Sequence, residues 1–204
     1  MPERTTLYLV RHAHAEWSQD DNRSLSPAGI VDAGVVADQL AVWPIAAIYT
    51  SPSRRSIETI DPLARRLELQ PTVVPDLRER HLPVVLPDQF DALVRRAWSF
   101  PAEAPGGGES NVQAQTRGLA VVRTVVRRHA GAHAVLATHG NLLALVLNAL
   151  DATFGYAFWQ RLSFPDIYQV VFDGTELRYV QRLWNTALLT RKANGPTSAK
   201  DREA

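Results

Sequence analysis

This chain predicts an α/β fold: a three-layer sandwich with a mostly parallel central sheet flanked by helices, plus a lid insertion. Three observations carry that expectation. Short apolar, strand-like runs alternate with helical segments, four of those runs stop on polar residues, and one stretch without periodicity interrupts the alternation. Taken in order, Thr6 to Val10 (TLYLV) is apolar and β-rich and stops at Arg11, as a buried strand does. Ser26-Pro27-Ala28-Gly29 then opens a helix that should run to about Ala41, serine capping it and proline suiting its first turn. Ile45 to Thr50 reads as a second strand. Ser53 to Arg66 reads as an amphipathic helix, with Ile57, Ile60, Leu63, Ala64 and Leu67 at helical spacing. Val73 and Val74 suggest a third strand.

Periodicity is lost from about 77 to 108, where prolines and a triple glycine mark the lid insertion, with a short helix expected near Phe90 to Trp98. Glu109 to Ala130 reads as a long helix, His133 to Thr138 as a strand and Asn141 to Leu150 as a helix. Tyr168 to Phe172 and Leu177 to Leu183, around Asp173-Gly174, form a hairpin signal. The expected organisation is one domain over 1–190 and a disordered polar tail over 191–204.

Composition narrows function. The 204 residues carry 22 Lys+Arg against 21 Asp+Glu, a net charge of +1, which gives no general attraction to nucleic acid or to an anionic membrane. An anion site must therefore be local. There is no cysteine, which excludes disulfides, thiolate metal sites and cysteine nucleophiles. The polar start and the short apolar run after it do not resemble a secretory signal. Leu142 to Leu150, interrupted by Asn148, falls well below the roughly 20 residues that span a bilayer. A soluble, cytoplasmic protein is expected.

Ligands of open α/β sheets gather beyond the carboxyl ends of strands. Here Arg11-His12 ends the first strand, Ser51 to Arg55 follows the second, Arg78-Glu79 the third, and His139-Gly140 the fourth. Together they suit phosphoryl transfer. That chemistry needs an in-line nucleophile, cationic donors for the equatorial oxygens and a proton for the departing oxygen. A neutral imidazole attacks without a base; arginines hold oxygens in fork geometry; a second, protonated histidine donates to them; a carboxylic acid protonates the leaving group and later deprotonates water. His12, Arg11, Arg55, His139 and Glu79 supply the set.

The same residues carry a resemblance. LYLVRHAHAEW is similar to the Arg-His-Gly signature of the histidine phosphatase superfamily, which includes the cofactor-dependent phosphoglycerate mutases. TSPSRRSIET resembles the second motif, aligning Arg55 rather than Arg54; LRERH resembles the segment that supplies the acid, Glu79; GGGES and ATHGN match two further elements, in family order over about 7 to 150. The resemblance, closest to the phosphatase branch, implies a phosphohistidine on His12 that water hydrolyses, with no metal and no organic cofactor. It implies a phosphorylated small-molecule substrate, a phosphoprotein being the other partner class, and substrate contacts at Ser18, Gly140 and Asn141. Oligomeric state stays open.

Departures temper the mutase reading. Ala13 replaces the usual glycine, and His14, Ala15 and Ser18 stand where mutases carry glutamate, serine and asparagine. A protein phosphohistidine phosphatase and a phosphate-binding module without turnover also fit these residue types. Glu109 is a second candidate acid. His12 with His14, or His129 with His133, could in principle ligate zinc, and Trp17, Trp98 and Trp159 could wall a pocket.

Overall fold

Six consecutive buried residues, Thr5 to Val10, place β1 (Arg4–Arg11) in the middle of a sheet. The strand is bonded on both sides. It runs parallel to β4 (His133–Thr138), from Thr6 opposite His133 to Arg11 opposite Thr138, and antiparallel to β5 (Asp166–Asp173). With β2 (Ile45–Thr50), β3 (Thr72–Val73) and β6 (Glu176–Arg182), the order is β3-β2-β4-β1-β5-β6. The computed structural model describes residues 3–16, 18, 22–83 and 87–184. The expected tail (191–204), Trp17 and part of the insertion (84–86) lie outside the described residues.

β3, β2, β4 and β1 are parallel, and the β5–β6 hairpin extends them antiparallel. The mostly parallel expectation thus holds for four strands. Both faces are covered, which is why the central strands read as continuous apolar runs. Alternation divides β1 between two cores. Tyr8 and Val10 pack with Val35, Val36 and Leu40 of α1 (Pro27–Leu40) and Ile60 and Leu63 of α2 (Arg54–Arg66). Leu7 and Leu9 pack with Val122 and Val125 of α4 (Asn111–Arg128) and Leu142 and Leu143 of α5 (Gly140–Leu150). Those two cores make the three layers. Each large aliphatic side chain buried in them contributes roughly 1.5–3 kcal/mol.

Local signals fix where the helices begin. Ser26 Oγ accepts from the Gly29 N–H at 3.1 Å, with Pro27 in the first turn of α1. Ser110 and Gln113 form a reciprocal capping box at the start of α4. In the 77–108 segment the short helix is longer than expected, α3 (Pro87–Ser99), and its Val94 and Ala97 are buried. Gly106 and Gly107 turn the chain with φ of 57° and 76°, a conformation that side chains with a Cβ resist. One helix goes beyond the sequence expectation: α6 (Tyr156–Trp159), a single turn after Gly155, too short to carry a periodic signal. Among the described residues, no helix is long and apolar enough to cross a membrane.

Candidate active site

At the carboxyl ends of the parallel strands, three of the five expected catalytic side chains, His12, Arg55 and His139, touch one another directly. The rings of His12 and His139 lie 5.1 Å apart at 66°. Arg55 reaches both, with Nε 3.2 Å from His12 Nε2 and Nη2 3.3 Å from His139 Nδ1. Arg11 packs against Gly140, next to His139.

These contacts define the tautomer of His12. Its Nδ1 lies 2.7 Å from the Ala13 carbonyl oxygen, which only accepts, so Nδ1 carries the proton. Nε2 accepts from the Arg55 guanidinium, which only donates, so Nε2 presents a lone pair. The orienting carbonyl is itself held. Ala13 N–H donates to Thr59 Oγ1 at 2.9 Å, and Thr59 donates to the Arg55 carbonyl at 2.7 Å. Burial pushes the His12 pKa well below the ordinary imidazole value, and His139, Arg55 and Arg11 push the same way against the Ala13 hydrogen bond. The ring is neutral, with the Nε2 lone pair turned toward Arg55.

Arg11 is gripped along one edge. Nη1 donates to the carbonyls of Leu162 (2.9 Å) and Ser163 (3.4 Å), while Nε is buried with no partner among the described residues. One face lies under the Phe164 ring, whose centroid is 3.3 Å from Cζ. A Cβ on Gly140 would stand 2.9 Å from Cζ and Nε, so glycine is what lets the guanidinium approach α5. The Nε–Nη2 edge is left as a fork, the geometry that grips two oxyanion oxygens. Burial lowers the Arg11 pKa to about 10, opposed by Glu79 and Asp166. Arg55 is 6% exposed, whereas Arg54 is exposed and pairs with Glu58 at 2.7 Å. The burial of α2 therefore favours Arg55 over its neighbour as the group facing the site.

His139 is fully buried at the first position before α5. Because Nδ1 accepts from Arg55, Nε2 carries the proton and donates to Ser51 Oγ at 2.7 Å. Burial, then Arg55, Arg11 and two further arginines, lowers its pKa well below the ordinary value. Burial and the nearby cations thus favour the neutral ring over the protonated one expected for a donor to phosphate.

Glu79 meets the start of α5. Oε2 accepts from Asn141 N–H (3.0 Å) and Asn141 Nδ2 (3.4 Å), and Oε1 from Leu142 N–H (3.0 Å) and Arg80 N–H (2.8 Å). A carboxylate there satisfies the first orphan donors of the helix. Gly140 and Asn141, expected to contact substrate, are thus engaged with Arg11 and Glu79. Ser18, the third expected contact, is half-buried. The second candidate acid, Glu109, is gripped by Arg117 Nε and Nη2 at 2.6 and 2.7 Å. Burial raises its pKa, but Arg117, the His81 N–H and Arg78 outweigh that and hold it below the usual range.

The two zinc readings find no supporting geometry. His129 Nε2 bonds Tyr49 and His133 Nδ1 bonds Tyr8, tyrosines that belong to opposite faces of the sheet. His14 Nδ1 is bonded to Ser26 Oγ at 2.8 Å. Trp98 and Trp159 pack against the α4–α5 core. Ser51 lies within a strand exit that the sequence marks, but its bond to His139 carries no sequence signal. Thr59 shares a buried helical row with Arg55 and Leu63, a phase signal that could have found it. Phe164 and the carbonyls of 162–163 had no signal.

A family model described as "Histidine phosphatase superfamily (branch 1)" matches residues 7–187. The metal-independent phosphoserine phosphatase of Arabidopsis thaliana is 26% identical over 164 residues, 71% of this chain and 68% of that protein. A probable phosphoglycerate mutase of Photorhabdus laumondii is 26% identical over 159 residues, 71% of this chain and 74% of that protein. Among solved structures, mycobacterial glucosyl-3-phosphoglycerate phosphatase superposes with a TM-score of 0.73 at 27% identity, covering 90% of this chain and 99% of that one.

Proposed function

The chain belongs to the histidine phosphatase superfamily, and from that premise we propose that it is a metal-independent phosphatase of small phosphomonoesters acting through a phosphohistidine on His12. The observation that carries this reading is the His12 ring: Nδ1–H fixed on the Ala13 carbonyl, Nε2 facing a site bounded by two arginines and a second histidine.

The ester enters with phosphorus before Nε2. Arg11 takes two equatorial oxygens with its Nε–Nη2 edge, and Arg55 turns its N–H groups from the two imidazoles to the remaining oxygens. The arriving dianion stabilises a proton on His139, which then donates to the same oxygens. Nε2 attacks, an N–P bond forms as the P–O bond to the leaving group breaks, and Glu79, having taken up a proton from solvent as the dianion binds, delivers that proton to the alkoxide. Asn141 and the first N–H groups of α5 orient that carboxyl. Water, deprotonated by Glu79, then attacks phosphorus, and phosphate leaves as Nε2 recovers its lone pair. The arginines supply the positive charge throughout, so the scheme requires no metal.

Phosphoserine and glucosyl-3-phosphoglycerate phosphatases among the relatives support a small phosphorylated substrate, and a cytoplasmic location is part of the same proposal. The Photorhabdus relative favours mutase chemistry as the second reading. That reading requires His12 to stay phosphorylated between turnovers, and bisphosphoglycerate to stimulate it. The test is phosphate release from a panel of esters in the presence of a chelator. Release that disappears with His12→Ala and falls most with Glu79→Gln on poor leaving groups is expected; chelator-sensitive release, or an active His12→Ala variant, overturns the proposal.

A further inference from the structure

Beside the polar phosphate site stands one apolar group that the phosphoryl chemistry does not use. Phe164 is 44% exposed, yet its ring centroid is 5.4 Å from that of His12 and 6.2 Å, edge-on at 89°, from that of His14. Its ring covers Arg11 on one side. Because the ring stacks on Arg11 and also reaches water, it is an apolar surface next to any oxyanion that Arg11 holds.

The ring is also held in place. Leu162 and Ser163 are tied to Arg11 through their carbonyls, Ser163 N–H donates to Asp166 at 3.0 Å, and Arg182 donates to Ser163 Oγ at 2.9 Å. His14 is fixed in turn by Ser26. A large apolar surface kept rigid and open to water beside a nucleophile gains stabilisation when an apolar group covers it, and rigidity lowers the ordering cost of that contact.

We propose that Phe164, with His14 beside it, forms the leaving-group wall of the site and selects phosphomonoesters whose alcohol carries a planar aromatic ring. This deepens the phosphatase reading and rests on it. Phe164 acts on the leaving group; its cover of Arg11 is a second, separable effect.

The test measures binding of benzylphosphonate, propylphosphonate and inorganic phosphate by calorimetry to the wild type, Phe164→Leu and Phe164→Ala. None of these anions can be turned over as an ester. Wild type should bind benzylphosphonate about five- to tenfold tighter than propylphosphonate, the scale of one aromatic contact. Phe164→Leu keeps an apolar cover on Arg11, so any loss of phosphate affinity should be shared by all three anions while the aryl preference shrinks to about twofold or less. Phe164→Ala should likewise lose the preference.

An aryl preference absent in wild type, or one that survives Phe164→Ala, overturns the proposal. So does equal weakening of all three anions in Phe164→Leu with the aryl preference unchanged, which would assign the ring to Arg11 alone. Hydrolysis by wild type and His12→Ala, measured in parallel, separates the two readings. Turnover without aryl preference sinks only this inference, and aryl preference without turnover sinks only the activity.

Discussion

Gly140→Ala is the sharpest perturbation the site offers, because it alters one carbon and no charge. The added Cβ would stand 2.9 Å from Arg11 Cζ and Nε and 3.0 Å from Nη2, where ordinary contacts begin near 3.4 Å. The guanidinium must therefore retreat by about 0.5 Å, and Phe164, 3.3 Å away on one of its faces, leaves little room. The Nη1 bonds to the Leu162 and Ser163 carbonyls resist rotation as well. Misplacing a binding group by about 1 Å can cost about a hundredfold, so half that shift predicts a loss of about ten- to a hundredfold in kcat/KM. That range is about 1.4–2.7 kcal/mol of transition-state stabilisation. Stability should change little, since alanine in the first turn of α5 regains about 0.5–1 kcal/mol of backbone entropy against the cost of crowding. The assay is steady-state hydrolysis of an aliphatic phosphate ester beside a thermal melt. Adding Phe164→Ala should restore part of the rate by giving Arg11 room. Wild-type kcat/KM in Gly140→Ala would refute the claim that this close approach aims the fork.

Arg55→Lys should lower kcat/KM by about a hundredfold or more, because a point charge cannot serve both imidazoles and the phosphate as a fork does, whereas Arg54→Lys should change it by less than about threefold. In the substrate-free enzyme, burial and neighbouring cations hold His12 and His139 neutral well below the ordinary imidazole value; histidine NMR should show neither ring titrating at or above pH 6.5. The same shifts set the acid stability. The folded state binds fewer protons than the unfolded chain below the unfolded value of about 6.5, so stability is fully present above that pH and falls as pH drops toward the folded values. Denaturant melts should show each of the two rings contributing up to about 1.4 kcal/mol per pH unit in that window, and both contributions should vanish in the double alanine variant.

Much of the fold was legible because buried parallel strands write themselves as apolar runs. TLYLV, IAAIYT and HAVLAT become β1, β2 and β4 almost residue for residue, and the polar residues that end them meet at the site. The choice of Arg55 over Arg54 was legible through the motif TSPSRRSIET, and the buried helical row that Arg55 shares with Thr59 and Leu63 agrees with it. What escaped was non-local. Arg11 is anchored by carbonyls 151 and 152 residues away, on a segment whose only helix is one turn long, so no periodicity announced it. The protonation state of His139 escaped too, because it depends on how many arginines surround a fully buried ring. The bond between Asn141 and Glu79 escaped for a similar reason: at the start of α5 its N–H faces a carboxylate that lies 62 residues earlier.

The central claim is that phosphorus passes through Nε2 of His12. The most direct test mixes enzyme with a phosphate ester, quenches within milliseconds under alkaline conditions that preserve phosphohistidine, and maps the phosphorylated peptide by mass spectrometry. A phosphoryl group on His12 that forms before free phosphate and disappears at the rate of turnover is the predicted result. Steady hydrolysis with His12 unlabelled, or with the label on another residue, would contradict it.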